Sequence, residues 1–87
     1  MDYTGLKEKL NKVHSWPTVY MFKFIVPDYP QKLARVQELF SPEAEVYYKS
    51  SRNGNYISVT GKEVVLGPEE VIRVYEKAEK INHVIAL

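Results

Sequence analysis

Two histidines, His14 and His83, and no cysteine bound the chemistry open to this 87-residue chain. The histidines fall in separate elements, so a metal site would need carboxylates to join them. Without cysteine there is no thiolate nucleophile, disulfide, cysteine-held zinc or iron–sulfur cluster. No nucleophile stands at readable spacing from a base that would activate it. The stretch Val26-Pro27-Asp28-Tyr29-Pro30 contains neither glycine nor arginine, and its two prolines remove backbone donors. It is therefore a poor nest for a phosphate-like anion. Lys23 is a lone cation inside an apolar run. On a solvated face it needs no special explanation; beside a cleft it would hold an anion. The expectation is a chain that is not an enzyme and uses no metal or cofactor.

Composition narrows the partners. The chain carries 12 basic and 11 acidic residues, a net charge of +1, and they are well mixed. That balance has no footprint for duplex DNA or an anionic membrane. No apolar run approaches the ~18 residues of a membrane span. The opening Met1-Asp2-Tyr3-Thr4-Gly5 lacks the basic start and apolar stretch of a signal peptide. A cytoplasmic location is expected. At this length one domain is expected, burying ~60–65% of its unfolded-chain surface.

The element that would position any site is a hairpin at Ser51–Thr60. Asn53-Gly54 favours a two-residue type I′ turn, which needs positive φ at both central residues. With that turn, Ser50 faces Ile57, Lys49 faces Ser58, Tyr48 faces Val59, Tyr47 faces Thr60, Val46 faces Gly61 and Glu45 faces Lys62. Side chains alternate between faces. Val46, Tyr48, Ile57 and Val59 go to the core. Glu45, Tyr47, Lys49, Tyr56, Ser58, Thr60 and Lys62 go to the other side, with Glu45 and Lys62 set as a cross-strand ion pair. Tyr56 braces the neighbouring strand and Ser51 fixes the turn, or both touch a ligand.

The remaining elements follow in order. Thr4 to His14 has Leu6, Leu10 and Val13 on one helical face and forms an arm, residues 1–15. The arm either packs on the domain or reaches a partner. Trp16-Pro17 ends it. Thr18 to Val26 is a central strand, with Tyr20, Phe22 and Phe24 toward the core and Met21, Lys23 and Ile25 opposite. Asp28 caps the next helix and Gln31 reaches back to it. Leu33, Val36, Leu39 and Phe40 form its buried stripe. Glu43 to Ser50 and Asn55 to Leu66 are the second and third strands. Gly61 leaves two possibilities open: a regular strand would put Glu63 on the face of Ile57 and Val59, whereas a bulge would turn Val64 and Leu66 inward. Gly67-Pro68-Glu69-Glu70 opens a helix with Val71, Val74, Tyr75 and Ala78 as its stripe. Asn82 to Leu87 is a short last strand.

From residue 16 onward the order is βαββαβ, an α+β chain. Right-handed crossovers then give a ferredoxin-like plait: a four-stranded antiparallel sheet with two helices on one face, plus the short N-terminal helix. The expected strand order is fourth, first, third, second, over residues 16–87.

Trp16-Pro17-Thr18, Phe22-Lys23, the S-x-x-G-x-Y-x-S-V element from Ser51 to Val59, and Val71 with Val74-Tyr75 before Ile81, Val84 and Leu87 resemble the YbeD-like family. These are small bacterial proteins of unknown function. The resemblance spans roughly residues 16–87. Gly61 and Glu63 depart from it, since apolar residues are usual there. It implies a plait similar to ACT regulatory domains, which bind small ligands and pair through their sheets. It carries no established site residue.

The functional expectation is a regulatory or interaction module. Its open sheet face or edge would bind a protein partner, a second copy or a small-molecule effector. The candidate surface is Met21, Lys23, Ile25, Tyr47, Lys49, Tyr56 and Ser58. Single-stranded RNA is the alternative, because Tyr47 and Tyr56 are aromatics among lysines on that face; a small enzyme is the less favoured one. Against RNA, the middle strand offers Met21 and Ile25 where stacking rings would be needed.

Overall fold

Tyr20, Phe22 and Phe24 line up on one side of the first strand and draw the helices onto it. Phe22 and Phe24 are fully buried, and their rings lie 6.5 Å apart. The Tyr75 ring packs edge-on to both, at 5.6 and 6.2 Å, and Phe40 stands 6.0 and 6.1 Å from them. Such tilted pairs are favoured over face-to-face stacking by the ring quadrupoles. The computed structural model describes residues 3–87. Residues 1 and 2 of the expected arm lie outside the described residues.

The elements in order are α1 (Thr4–Val13), β1 (Thr18–Pro27), α2 (Pro30–Gln37), β2 (Glu45–Ser50), β3 (Tyr56–Val65), α3 (Pro68–Glu79) and β4 (Ile85–Ala86). They make an α+β fold with one four-stranded antiparallel sheet and three helices. Across the sheet the order is β2-β3-β1-β4. The order expected from the sequence is this arrangement counted from the β4 edge. β1 is central and pairs with β3 along its whole length, Thr18 to Val65 through Pro27 to Tyr56.

The β2–β3 register agrees with the hairpin reading at every pair from Ser50–Ile57 to Glu45–Lys62. The turn itself differs. Only Gly54 has positive φ (75°), and the Gly54 N–H bonds the Ser51 carbonyl at 3.1 Å. The last ladder bond runs from the Ser51 N–H to the Tyr56 carbonyl, so the loop has four residues rather than two. An even loop keeps the same side-chain parity, which is why the register survives. Asn53 stabilises this loop by side-chain bonding instead of by its own φ. Its Oδ1 accepts from Ser51 Oγ at 3.0 Å and from the Asn55 N–H at 3.3 Å, and Ser51 Oγ accepts from the Tyr56 N–H at 3.1 Å.

β3 carries no bulge at Gly61. The register with β1 and β2 runs through it unbroken. Val65 is therefore the inward residue at 2% exposure, while Val64 and Leu66 are 64% and 71% exposed. The regular alternative holds, and Glu63 points toward the helix side at the strand's end. There its carboxylate accepts the Ser41 N–H at 2.8 Å, so a polar residue suits the position.

Four smaller expectations are corrected. Tyr48, expected in the core, is 49% exposed because β2 is an edge strand that the helices do not fully cover. Tyr29, not Asp28, is the N-cap of α2, and no side chain caps it; Pro30 at the first turn removes one donor that would need a cap. Val13 is 75% exposed, because α1 buries only Leu10 and partly Leu6 against the domain. β4 pairs over only Ile85 and Ala86, with one further bond from the Leu87 N–H to the Lys23 carbonyl. The chain spends 81–84 in a turn, with Ile81 buried and His83 at φ 68°.

Candidate interaction surface

Alternation along three strands gathers the candidate residues. Phe22, Phe24 and Val26 of β1 and Val59 and Val65 of β3 are buried under the helices. The intervening residues must then occupy the opposite face. All seven sequence candidates fall there: Met21, Lys23 and Ile25 on β1, Tyr56 and Ser58 on β3, Tyr47 and Lys49 on β2. The register sets them in rows across the sheet. Lys49, Ser58, Ile25 and Ile85 form one; Tyr47, Thr60 and Lys23 the next; Glu45, Lys62 and Met21 a third. Strand spacing puts row neighbours about 5 Å apart and successive rows about 7 Å apart.

Exposed apolar and polar residues alternate on this face. Met21 is 57% exposed and Val64 64%, and Val19, Ile85, Tyr47 and Tyr56 are all exposed as well. Ile25 and Ser58 are half-buried within it. Val19, Val64 and Ile85 were not among the sequence candidates. Parity would have found Val19, two residues before Met21. Val64 was hidden by the open question at Gly61, and Ile85 by the unknown register of a two-residue strand.

Glu45 and Lys62 are opposed as expected, but Tyr47 mediates between them. The Tyr47 hydroxyl donates to Glu45 Oε2 at 3.0 Å, and Lys62 Nζ stands 5.9 Å from the Tyr47 ring centre. Donating to Glu45, and sitting in its negative field, raises the pKa of Tyr47 above the ordinary tyrosine value. Lys23, Lys49 and Lys62 outnumber the single Glu45, so the face is net basic on a nearly neutral chain. At one corner an open hollow of about 540 Å³ runs from Val19 and Val64 to Glu45 and Lys62; Glu43 and Glu63 line it too, so that corner is acidic.

The histidines have structural surroundings. The His14 ring lies 5.6 Å from both Trp16 and Tyr20, and His83 is exposed in the turn before β4. Among the described residues no cluster of three or more His, Asp or Glu could hold a metal ion. None of their helices is long and apolar enough to cross a membrane. Ser51 is engaged within the loop, and Tyr56 contributes an exposed ring at the hairpin's end of the face.

A family model described as a protein of unknown function, DUF493, matches residues 11–87. The match begins inside α1, ahead of the Trp16 boundary expected from motifs. No curated protein and no solved structure matches the chain.

Proposed function

The chain belongs to the DUF493 family of proteins of unknown function, and we propose that it is a non-enzymatic interaction module that docks a protein partner through its bare sheet face. The observation that carries this is one layer of the fold left uncovered, exposing Val19, Val64 and Met21 side by side and Ile85 beyond the Lys23 row. Contiguous exposed apolar surface rimmed by polar groups is the usual mark of a docking site. The surface is broad and nearly flat, which suits a macromolecule better than an enclosed small molecule. In this reading the domain is a ferredoxin-like plait of the ACT-like, YbeD-like kind, which the βαββαβ element order supports, and it works as a regulatory adaptor in the cytoplasm.

Charge gives the partner's sign. A second copy laid face to face would oppose three lysines with three lysines, whereas a partner presenting carboxylates beside apolar groups would complement them. Protein is favoured over single-stranded RNA because the Tyr47 ring already has Lys62 against it and its hydroxyl on Glu45.

The test is affinity capture from the native cell with three tagged chains: wild type, Met21→Glu on the sheet face, and Arg73→Glu on α3. The reading requires a discrete partner held by wild type and R73E and lost with M21E. Retention by M21E overturns it.

A further inference from the structure

A second hollow, of about 410 Å³, lies on the helix side of β4, between α1 and α3. It belongs to the opposite side of the molecule from the sheet face and stands independently of that reading. Its walls are apolar: Leu6, Ala78, Val84, Ala86 and Leu87. The rings of Tyr3 and Tyr75 add aromatic surface, and among the described residues Glu79 is the only one lining it with a charged side chain. The Tyr3 hydroxyl is screened from solvent and finds no partner in hydrogen-bonding geometry. Burial first, and then the neighbouring Glu79 carboxylate, push its pKa up to about 12. The Tyr75 hydroxyl is already committed to Tyr20 at 3.1 Å. An apolar hollow of this size with a few convergent polar groups is the usual form of a small-ligand site.

We propose that this groove binds a small primary amine with an apolar tail. The ammonium group has three donors and no acceptor. It meets the charge of the site, donating to the Glu79 carboxylate beside the Tyr3 ring. The tyrosine rings add attraction for a cation within about 6 Å. The tail lies against Leu6, Ala78 and Val84, where its transfer from water supplies affinity. An anionic ligand of the same shape would meet Glu79 with no basic residue among the described lining to offset it.

The experiment is an NMR titration of the isotope-labelled full chain with hexylamine, hexanol and hexanoate. Hexylamine shifts the amides of Leu6, Ala78 and Glu79 saturably and binds about threefold or more tighter than hexanol, the margin an exposed ion pair gives. Hexanoate binds weakest. Glu79→Gln brings hexylamine to the level of hexanol, and Glu45→Gln on the sheet face changes nothing. Ala86→Leu, at an exposed position on the rim, weakens amine and alcohol together. The proposal is overturned if hexanoate matches hexylamine, if E79Q keeps the amine preference, or if no saturable shift appears at these residues.

Discussion

A methyl group placed on Gly61 would lie 2.6 Å from the Phe40 ring. Real Cβ contacts are never that short, so the ring occupies the space a side chain would need. Phe40 follows α2 and is 8% exposed; Gly61 is at the middle of β3. The glycine is what lets the end of α2 sit down on the sheet. Gly61→Ala is expected to destabilise by about 1–3 kcal/mol, the usual range for overpacking. Chemical denaturation checks it. In a Phe40→Leu background the alanine should cost less by about 1 kcal/mol, because the two residues share one site. Additive losses would show that Gly61 has another role.

The hairpin loop gives a second prediction. Gly54, at φ 75°, is the one loop residue in the left-handed region. Gly54→Ala should cost about 1–2 kcal/mol. Gly54→Asn should cost less, since asparagine tolerates that region. Asn53→Ala removes the acceptor for Ser51 Oγ and the Asn55 N–H, and should cost about 1 kcal/mol. Thermal melts of the three variants rank them. An Asn53 effect larger than that of Gly54 would contradict the loop geometry.

Alkaline pH should loosen the fold through two tyrosines. Burial, followed by the Tyr20 hydroxyl, raises the pKa of Tyr75, and Tyr3 is pushed up to about 12. In both cases the fold favours the protonated phenol. Their stabilisation is therefore whole below the ordinary tyrosine pKa near 10, and is lost as pH rises from there past about 12. Denaturant midpoints measured from pH 8 to 12 should fall only at the upper end. Tyr75→Phe leaves the Tyr20 hydroxyl without its partner and should cost about 0.5–1.5 kcal/mol at neutral pH. It should also flatten the alkaline decline. An unchanged decline would place the pH sensitivity elsewhere.

The two faces of β1 should respond oppositely to polarity. Phe24→Ala empties a fully buried site and should cost about 3–5 kcal/mol. Met21→Ser, on the opposite, exposed face of the same strand, should stay within about 0.5 kcal/mol. Equilibrium unfolding of both variants makes the comparison. A Met21→Ser loss near that of Phe24→Ala would mean the open face is already covered within the chain.

Where sequence was enough, the reason was periodicity. The alternation Tyr20, Phe22, Phe24 against Met21, Lys23, Ile25 states both faces of β1, and the structure keeps them. The hairpin register followed from Asn53-Gly54 even though the turn type did not, because parity alone decides which face each residue takes. What escaped was non-local. Nothing near Gly61 reveals that a ring from position 40 fills its missing side chain, so a bulge and a cleft for Phe40 read alike. The cap of α2 was misplaced to Asp28 because Pro30 already starts the helix without needing that donor. Val64 and Ile85 on the candidate surface depended on those same non-local facts. No pattern of residue types shows that Tyr3 and Glu79, from opposite ends of the chain, line one groove.

The most direct measurement is site-specific photo-crosslinking in the native cell. A photoreactive residue is placed in turn at positions 21 and 64 on the sheet face and at position 73 on α3. Docking through the bare face predicts one discrete cross-linked protein from 21 and 64 and none from 73. Cross-linking from 73 alone, or from none of the three, would contradict it.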